Sequence, residues 1–366
     1  MIILLGAGAS RAFEIPITKE FISLFEKEGE IGESELYNDV KTGIGEDLFD
    51  LESLMTILDD LSKSAEDLSK VISPYTSRFL LQSQHKNGLL YYQKAGIRDA
   101  AKQLLQRLKK IIRRECLIAV RDRKRLIIDT YDAFFDSADK LVGSHTQGRD
   151  AKRSYPSDLE IFTTNYDTCV ETYFNAKHTD FANGIELRWG YNVFNIDAFK
   201  GKPIEVCKLH GSIDFFKQGE DIRQFQTFGI DIQNEITYLG EDYGEEFMVY
   251  PIESSGARHV IQSPYLDLYN LLRERLLREN SRPDATWVIV GSSFRDLTIA
   301  SIMNEVLRLR ETGERPLVTF IDPQAGSVAQ KLKGDGFTAL ADIISPIEGE
   351  FGKADVFERL GAMRQK

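Results

Sequence analysis

The start of the chain, MIILLGAGAS, is the feature that most limits the folds available to it. Ile2 to Leu5 is an unbroken aliphatic run, which is typical of a strand buried on both faces of a parallel sheet. The glycine turn, residues 6–10 (GAGAS), follows at once and predicts a tight change of direction. A parallel strand that is buried on both faces needs helices on both sides of its sheet, so the sequence predicts an α/β protein.

Four further segments show the same strand pattern. Each is short and largely apolar: Leu159–Thr163, Glu205–Leu209, Thr286–Val290 and Leu317–Ile321. The residues at their ends are small or polar, namely TNYD, HGS, GSS and DP. Because ligands bind beyond the carboxyl ends of the strands in an open parallel sheet, the five strand ends are predicted to face one site.

The long segment between the first two strands is predicted to be helical, because its apolar residues recur at intervals of three and four. Its first helix runs from Lys19 to about Lys27, with Thr18 as N-cap. Residues 143–158 are polar and predict a loop. The expected organisation is a sheet domain, a large all-helical insertion, a small hairpin insertion and a helical tail, at 1–20 plus 155–345, 21–150, 217–262 and 346–366. The hairpin strands are expected at Gln224–Phe228, Glu235–Leu239 and Phe247–Tyr250.

Composition and charge exclude several classes of protein. The formal net charge of −11 argues against general nucleic-acid binding, which depends on cations that displace phosphate counterions. The three cysteines, Cys116, Cys169 and Cys207, form no CxxC pair, which excludes a four-thiolate zinc ribbon and a disulfide framework. No uncharged apolar run approaches the roughly 18 residues that a membrane helix needs. We therefore expect a cytoplasmic protein that binds no membrane.

The glycine turn predicts an anion site. Glycines at positions 6 and 8 let the backbone approach a phosphate closely, and the following helix presents unpaired amides and its positive dipole end. A dehydrogenase fingerprint would have a third glycine at the position of Arg11, and an acidic residue at the end of the next strand. Neither is present, so a dehydrogenase is the least favoured interpretation. A purely structural turn remains the alternative.

Two later motifs, TTNYD and KLHGS, supply the residues expected to do chemistry. Asn165 and Asp167 follow one predicted strand, and His210 follows another. A histidine at the lip of a nucleotide cleft can take a proton from a ribose hydroxyl or from water. An asparagine can orient the water or the sugar. The alternatives are a structural histidine for His210 and a turn residue for Asn165.

Together and in this order, GAGAS, TTNYD, KLHGS, VGSSFRD and FIDP resemble the sirtuin family. They are most similar to its bacterial sirtuin-like branch, which consumes NAD without deacylating protein. The resemblance covers residues 1–20 and about 155–345 and implies a Rossmann-like, doubly wound parallel sheet.

The resemblance also implies a role for each site residue. His210 would be the general base, Asn165 would sit beside the nicotinamide ribose, and Asp167 would accept from the nicotinamide carboxamide. Asp322 falls where the adenine ribose is gripped. The other positions expected to contact the NAD phosphates and riboses are Gly6, Ala7, Gly8, Ala9, Ser10, Thr164, Gly211, Gly291, Ser292 and Ser293.

The chain also departs from protein-deacylating sirtuins. These usually carry two CxxC pairs for zinc in a smaller domain, and this chain has none. Their aspartate-phenylalanine-arginine stretch is replaced by Ile17-Thr18-Lys19 after Pro16, and asparagine-isoleucine-aspartate becomes Asn165-Tyr166-Asp167. We therefore expect an NAD⁺ glycohydrolase that uses NAD as substrate and needs no zinc. An NAD-dependent protein-lysine deacylase is the first alternative, and a non-catalytic module that senses NAD or ADP-ribose is the second.

The resemblance further implies a role in antiphage defence, in which NAD depletion kills the infected cell after a trigger. Self-assembly into a homo-oligomer, or a separately encoded sensor or helicase-like, nucleotide-processing partner, would be that trigger. Residues 101–126 carry ten Lys or Arg against two acids, which indicates either a solvated helix face or a docking surface. The acidic stretch 240–246 (GEDYGEE) of a second copy is one candidate to face them.

Overall fold

The computed structural model describes residues 1–46, 49–63, 73–82, 96–142, 158–218, 221–224, 245–248, 264–309 and 315–363. The strands are β1 (Ile2–Leu5), β2 (Leu159–Thr163), β3 (Ile185–Arg188), β4 (Tyr191–Phe194), β5 (Ile204–Lys208), β6 (Gly211–Gln218), β7 (Asp221–Gln224), β8 (Glu245–Met248), β9 (Thr286–Val290), β10 (Leu317–Asp322) and β11 (Ile344–Glu348). Helices up to the second strand are Ala7–Arg11, Thr18–Lys27, Gly29–Gly32, Glu35–Ile44, Leu51–Ser62, Pro74–Gln82, Ile97–Asp122 and Lys124–Val142. Later helices are Cys169–Ala176, the 3₁₀ turn Ile196–Phe199, Tyr265–Asn280, Leu297–Arg308, Ala325–Gly334, Thr338–Ala341 and Ala354–Ala362. No helix in these ranges is both long and apolar enough to cross a membrane.

Six strands form one parallel sheet in the order β11-β10-β9-β1-β2-β5. The chain starts in the middle with β1, builds one side with β2 and β5, and then builds the other side with β9, β10 and β11. This is a doubly wound α/β sheet, which confirms the predicted fold class, and helices interrupt it between β1 and β2 as expected. The strand order reverses between β1 and β9, so this is the topological switch point.

Both faces of the sheet are buried, which explains the unbroken apolar strands. In β1, Ile3 and Leu5 face a core shared with the helices between residues 18 and 142. Ile2 and Leu4 face the opposite core, against helices 265–280 and 297–308. The alternation along β1 therefore places one helical layer on each face of the sheet.

A buried arginine attaches helix 265–280 to the sheet. Arg275 Nε and Nη2 donate to the Glu205 carboxylate over 2.9 and 3.0 Å, and Nε lies 3.1 Å from Glu160 Oε1. Glu160 on β2 and Glu205 on β5 are register partners, so one guanidinium pairs with carboxylates on two neighbouring strands. Burial raises the pKa of Glu205, and the bonds to Arg275 oppose that rise. This contact fixes the position of the helix that also carries Tyr269.

Some elements differ from the predictions. Helix 18–27 begins at Thr18 itself, so the N-cap is Ile17, whose N–H donates to Glu20 Oε2 over 2.9 Å. Residues 344–348, at the boundary of the predicted helical tail, form the edge strand β11, which tolerates Pro346 because an edge position leaves one side of the strand unpaired. A second, antiparallel sheet has the order β3-β4-β7-β6-β8, and most of it was not predicted.

Several predictions fall wholly or partly outside the described residues. The predicted hairpin strand Glu235–Leu239 lies outside them, as do nearly all of the loop at 143–158 and most of the acidic stretch 240–246. The predicted strand Gln224–Phe228 overlaps the last residue of β7, and Phe247–Tyr250 overlaps the end of β8.

Three glycines bring the two loops of the switch point into backbone contact. Gly6 N donates to Val290 O over 2.8 Å, and Gly8 N donates to Gly291 O over 2.9 Å. A Cβ at Gly6 would lie 2.6 Å from Gly291 O, and one at Gly8 would lie 2.7 Å from Gly291 Cα. Gly291 has φ +60°, and its Cβ would lie 2.4 Å from Ala9 N. The loops after β1 and β9 can approach this closely only because none of the three positions has a side chain.

We expect Gly291→Ala to be far more destabilising than a glycine substitution that imposes only the left-handed backbone. Gly190 has φ +84° with open space around its Cβ position, so Gly190→Ala isolates that conformational cost, about 1 kcal/mol. Gly291→Ala adds a clash with backbone and should cost at least about 3 kcal/mol. Urea unfolding of both variants measures the difference, and equal losses would contradict the interlocked-loop interpretation.

Candidate active site

Asn165 connects the carboxyl end of β2 to the glycine turn. Its Nδ2 donates to Gly6 O over 2.9 Å and to Ser10 Oγ over 2.8 Å, and its backbone N donates to Thr163 Oγ1 over 3.0 Å. The side chain is half-buried. Two predicted site motifs, GAGAS and TTNYD, are therefore joined by direct hydrogen bonds.

Asp167 lies deeper than Asn165 and is 5% exposed. Its Oδ2 accepts from Ser10 Oγ over 2.5 Å, and its Oδ1 accepts from Cys169 N over 3.0 Å. The buried Lys208 ammonium donates to the Asp167 carbonyl and lies 3.5 Å from the Glu171 carboxylate. Asp167 thus orients the Ser10 hydroxyl that Asn165 also contacts.

His210 lies just beyond the end of β5, the neighbour of β2 in the sheet. Its Nε2 is 3.0 Å from Asp296 Oδ2 and 3.2 Å from the Tyr269 hydroxyl, and Tyr269 also donates to Asp296 Oδ2. Asp296 caps helix 297–308 by accepting at Oδ1 from Thr298 N over 2.9 Å. Neither Tyr269 nor Asp296 was given a role from the sequence, although Asp296 ends the quoted motif VGSSFRD. Tyr269 and Asp296 lie 59 and 86 residues after His210 in the sequence, so only the fold brings them to it.

These partners set the charge of Asp296. Burial alone would raise its pKa, but the hydrogen bonds and opposite charge from His210, together with bonds from Tyr269 and Thr298, lower the pKa to about 2. Burial and the neighbouring Asp296 raise the pKa of Tyr269 well above its usual range. At neutral pH, Asp296 is a carboxylate and Tyr269 keeps its proton.

The loop after β9 and the end of β10 carry the remaining residues that are predicted to contact NAD. Ser292 is half-buried and its Oγ accepts from Phe294 N over 3.3 Å, while Ser293 is exposed. Asp322 is half-buried at the end of β10, its Oδ1 accepts from Gln324 N over 2.8 Å, and burial raises its pKa. Thr164 follows β2 beside Asn165, and Gly211 begins β6 beside His210.

The predicted site residues therefore lie at or just beyond the carboxyl ends of the strands, but in three groups. Asn165, Asp167 and Ser10 form one network with the glycine turn, His210 forms another with Tyr269 and Asp296, and Ser292, Ser293 and Asp322 lie beyond β9 and β10. A dinucleotide that spans several strand ends needs contacts spread in this way. Backbone amides and hydroxyls suit its phosphates and riboses, so these residues fit NAD.

The described residues contain no group of histidine, cysteine and acidic side chains that could hold a metal ion. Cys116, Cys169 and Cys207 are buried and free, and burial raises the pKa of each thiol above its usual range. A protonated thiol is a poor metal ligand.

The lowered pKa of Asp296 predicts a specific acid sensitivity. Because the folded-state pKa is below the unfolded value, the stabilisation is present above about pH 4 and is lost as the pH falls towards 2. Asp296 therefore stabilises wild type relative to Asp296→Asn less at low pH. We expect the difference in their free energies of unfolding to shrink by about 1 kcal/mol when the pH is lowered from 6 to 3. Chemical unfolding at both pH values tests this, and a constant difference would contradict it.

About half of the chain matches a known protein family. No curated protein matches the chain. Residues 159–340 match the model of the SIR2-like domain, a range that contains TTNYD, KLHGS, VGSSFRD and Asp322. The glycine turn lies outside that range, yet the structure places β1 in the middle of the same sheet. SIR2-like domains use NAD as a substrate, which supports NAD-dependent activity in general. The match supports the resemblance to the sirtuin-like family over residues 159–340.

Proposed function

We propose that the protein is an NAD⁺ glycohydrolase that cleaves NAD to ADP-ribose and nicotinamide. The observation that carries the proposal is the position of Asn165 and His210, both half-buried, at neighbouring strand ends of a SIR2-like domain. Binding NAD needs neither a side-chain amide fixed by two hydrogen bonds nor a histidine paired with a carboxylate. Both features are expected of a site that does chemistry.

In the proposed reaction, water attacks C1′ of the nicotinamide ribose as the bond from C1′ to the pyridinium nitrogen breaks. The bonding electrons pass to that nitrogen, so nicotinamide leaves as a neutral molecule. His210 takes the proton of the attacking water, a role usually worth about 10²–10⁴ in rate. Exclusion of water from the cationic ring favours its departure.

The two residues of TTNYD with proposed catalytic roles, Asn165 and Asp167, have different access to substrate. Asn165 is half-buried and its amide lies at the glycine turn, where it can orient a ribose hydroxyl or the water. Both carboxylate oxygens of Asp167 already have partners. For Asp167 to accept from the nicotinamide carboxamide, that amide must share a carboxylate oxygen with the Ser10 hydroxyl or the Cys169 N–H, or displace one of them.

Water is preferred over an acylated lysine as the acceptor because the chain lacks the cysteine pairs of protein-deacylating sirtuins. Each of its three thiols is buried at a separate place. The test is to incubate purified protein with NAD, with and without an acetylated peptide, and to separate the products by chromatography. ADP-ribose formed without peptide supports hydrolysis. A strict peptide requirement favours a deacylase, and NAD binding without turnover favours a sensor.

We expect His210→Ala to lower NAD hydrolysis by about 10²–10⁴ without unfolding the protein. His178→Asn is the matched control, because His178 is exposed and has φ +51°, a backbone conformation that asparagine tolerates. In parallel, Asn165→Ala should lose activity and the exposed Asn175→Ala should not. Product formation and thermal melts are measured for all four variants. Lost activity together with a collapsed melt would make His210 or Asn165 a structural residue instead.

We further propose that the enzyme is the NAD-depleting effector of a bacterial antiphage, abortive-infection system. The support is the resemblance of the five motifs to that sirtuin-like branch. In this proposal a separately encoded partner or assembly into a homo-oligomer activates the enzyme in the cytoplasm. NAD measured in infected cells that express wild type or His210→Ala tests the role, and equal NAD levels would exclude it.

Part of the basic segment 101–126 is already used within the chain. Arg113 is buried with its guanidinium 4.5 Å from the centre of the Phe216 ring, Arg114 pairs with Glu28, and Arg123 pairs with Glu14. Exposed cations of this segment, such as Lys110 and Arg125, can reach another molecule.

If the exposed Lys110 and the half-buried Lys109 mediate assembly, the double change Lys109→Glu and Lys110→Glu should reduce the mass of the particle by introducing repulsion from an acidic neighbour. Lys200→Glu with Lys202→Glu makes the same charge change at two exposed positions elsewhere on the surface and is the control. Light scattering at low salt measures the mass. A particle of unchanged size would exclude this face as the assembly surface.

A further inference from the structure

The hydrogen bonds around His210 determine which ring nitrogen carries its proton. Asp296 is ionised and can only accept at Oδ2. The Tyr269 hydroxyl has one proton, and it donates that proton to the same Oδ2. Nε2 of His210 lies 3.0 Å from Asp296 Oδ2 and 3.2 Å from the Tyr269 oxygen, so Nε2 must be the donor towards both. In a neutral ring, the lone pair then resides on Nδ1.

We propose that Asp296 is a positioning residue that holds His210 in the Nε2–H tautomer and thereby makes Nδ1 the nitrogen that receives the substrate-side proton. Within the part of the chain that the structure describes, Nδ1 has no hydrogen-bond partner. This assignment rests on the proposed NAD hydrolysis for its catalytic meaning. The tautomer itself can be measured without any turnover.

The position of Asp296 in the fold supports a dedicated role. His210 follows β5 and Asp296 follows β9, and two strands, β1 and β2, separate these in the sheet. At about 4.8 Å per strand, the two chain segments start roughly 14 Å apart. The contact between His210 and Asp296 therefore crosses the carboxyl ends of β1 and β2, where the glycine turn and Asn165 lie.

The loop that carries Asp296 contains a residue in an unfavourable backbone conformation, two positions before Asp296. Phe294 is 4% exposed and has φ +49°, a left-handed backbone that is rare for a bulky residue. Its ring packs edge-on against Phe320 with centroids 5.8 Å apart, which holds the loop in place. Strain of this kind persists where the surrounding structure determines it and is often found at functional sites.

The proton balance of the step is complete. As the water oxygen bonds to C1′ and the bond to nicotinamide breaks, one water proton moves to Nδ1. His210 becomes an imidazolium whose Nε2–H still donates to Asp296, so the new positive charge forms beside an existing carboxylate. Release of the proton from Nδ1 to solvent restores the resting tautomer.

The first test is nitrogen NMR of protein labelled with ¹⁵N-histidine at neutral pH. The chain has five histidines, and the signals lost in His210→Gln identify those of His210. We expect wild type to show a protonated Nε2 and an unprotonated Nδ1. Asp296→Asn should lose this preference, because the asparagine amide can donate to Nε2 while its side-chain oxygen still caps helix 297–308. A predominant Nδ1–H tautomer in wild type would overturn the proposal.

The second test is kinetic. We expect Asp296→Asn to lower kcat for NAD hydrolysis by about 10²–10⁴ with KM changed less than about threefold, as when a histidine is held in the wrong tautomer. Asp296→Glu should recover part of that loss, and Tyr269→Phe should lose less because Asp296 remains. Asp197→Asn, at an exposed position, is the control.

An unchanged kcat in Asp296→Asn overturns the proposal, and so does a raised kcat, which would mean that the carboxylate withholds His210 from substrate. If wild type hydrolyses no NAD under any condition, the proposed function fails. The NMR measurement then still decides whether Asp296 sets the tautomer.

Discussion

The backbone contact between the loops after β1 and β9 is the constraint on which the rest of the site depends. At the switch point of a doubly wound sheet, the chain leaves neighbouring strands towards opposite faces and normally opens a crevice. Here Gly6, Gly8 and Gly291 close the base of that crevice, with amide-to-carbonyl bonds of 2.8 and 2.9 Å. The closed base fixes the start of both loops, so Ser10 is held towards Asn165 on one side and Asp296 is held towards His210 on the other.

This contact also gives the glycines of the turn a role in packing the two loops together, in addition to the predicted approach to phosphate. The sequence indicated glycines that allow a close approach to phosphate. In the structure, the group closest to a Cβ at each of these glycines is backbone from the opposite loop. Ala7 is exposed and Gly8 is half-buried, so the turn is still accessible to a phosphate. A single GxG motif can thus serve loop packing and ligand approach together.

The sequence predicted the parts of the fold that local patterns encode. Aliphatic runs such as Ile2–Leu5 and Thr286–Val290 are visible because both faces of each strand are buried. β11 was missed because Ser345 and Pro346 break the apolar pattern, which an edge strand permits. The partners of His210 could not be predicted, since Tyr269 and Asp296 reach it only through the tertiary fold. Asp296 lies in a quoted motif. Its role as the N-cap of helix 297–308 already explains an aspartate at this position, so the sequence gives no sign of its contact with His210.

If a partner or assembly activates the proposed hydrolase, packing is a stronger route to the site than surface charge. Arg295, next to Asp296, pairs with Asp50 and Glu52 of the helical layer, but these side chains are partly exposed and such pairs contribute about 0–1 kcal/mol. A hundredfold change in rate corresponds to about 2.7 kcal/mol. The aromatic core is the stronger connection. The ring of Tyr131, on helix 124–142, has its centroid 5.5 Å from that of Phe13 and 5.6 Å from that of Tyr173. Phe13 follows the glycine turn in the chain, and Tyr173 lies on the helix that follows Asp167. A shift of that helix would move both ends of the Ser10 to Asp167 hydrogen bond, because buried aromatic rings in close packing cannot move independently.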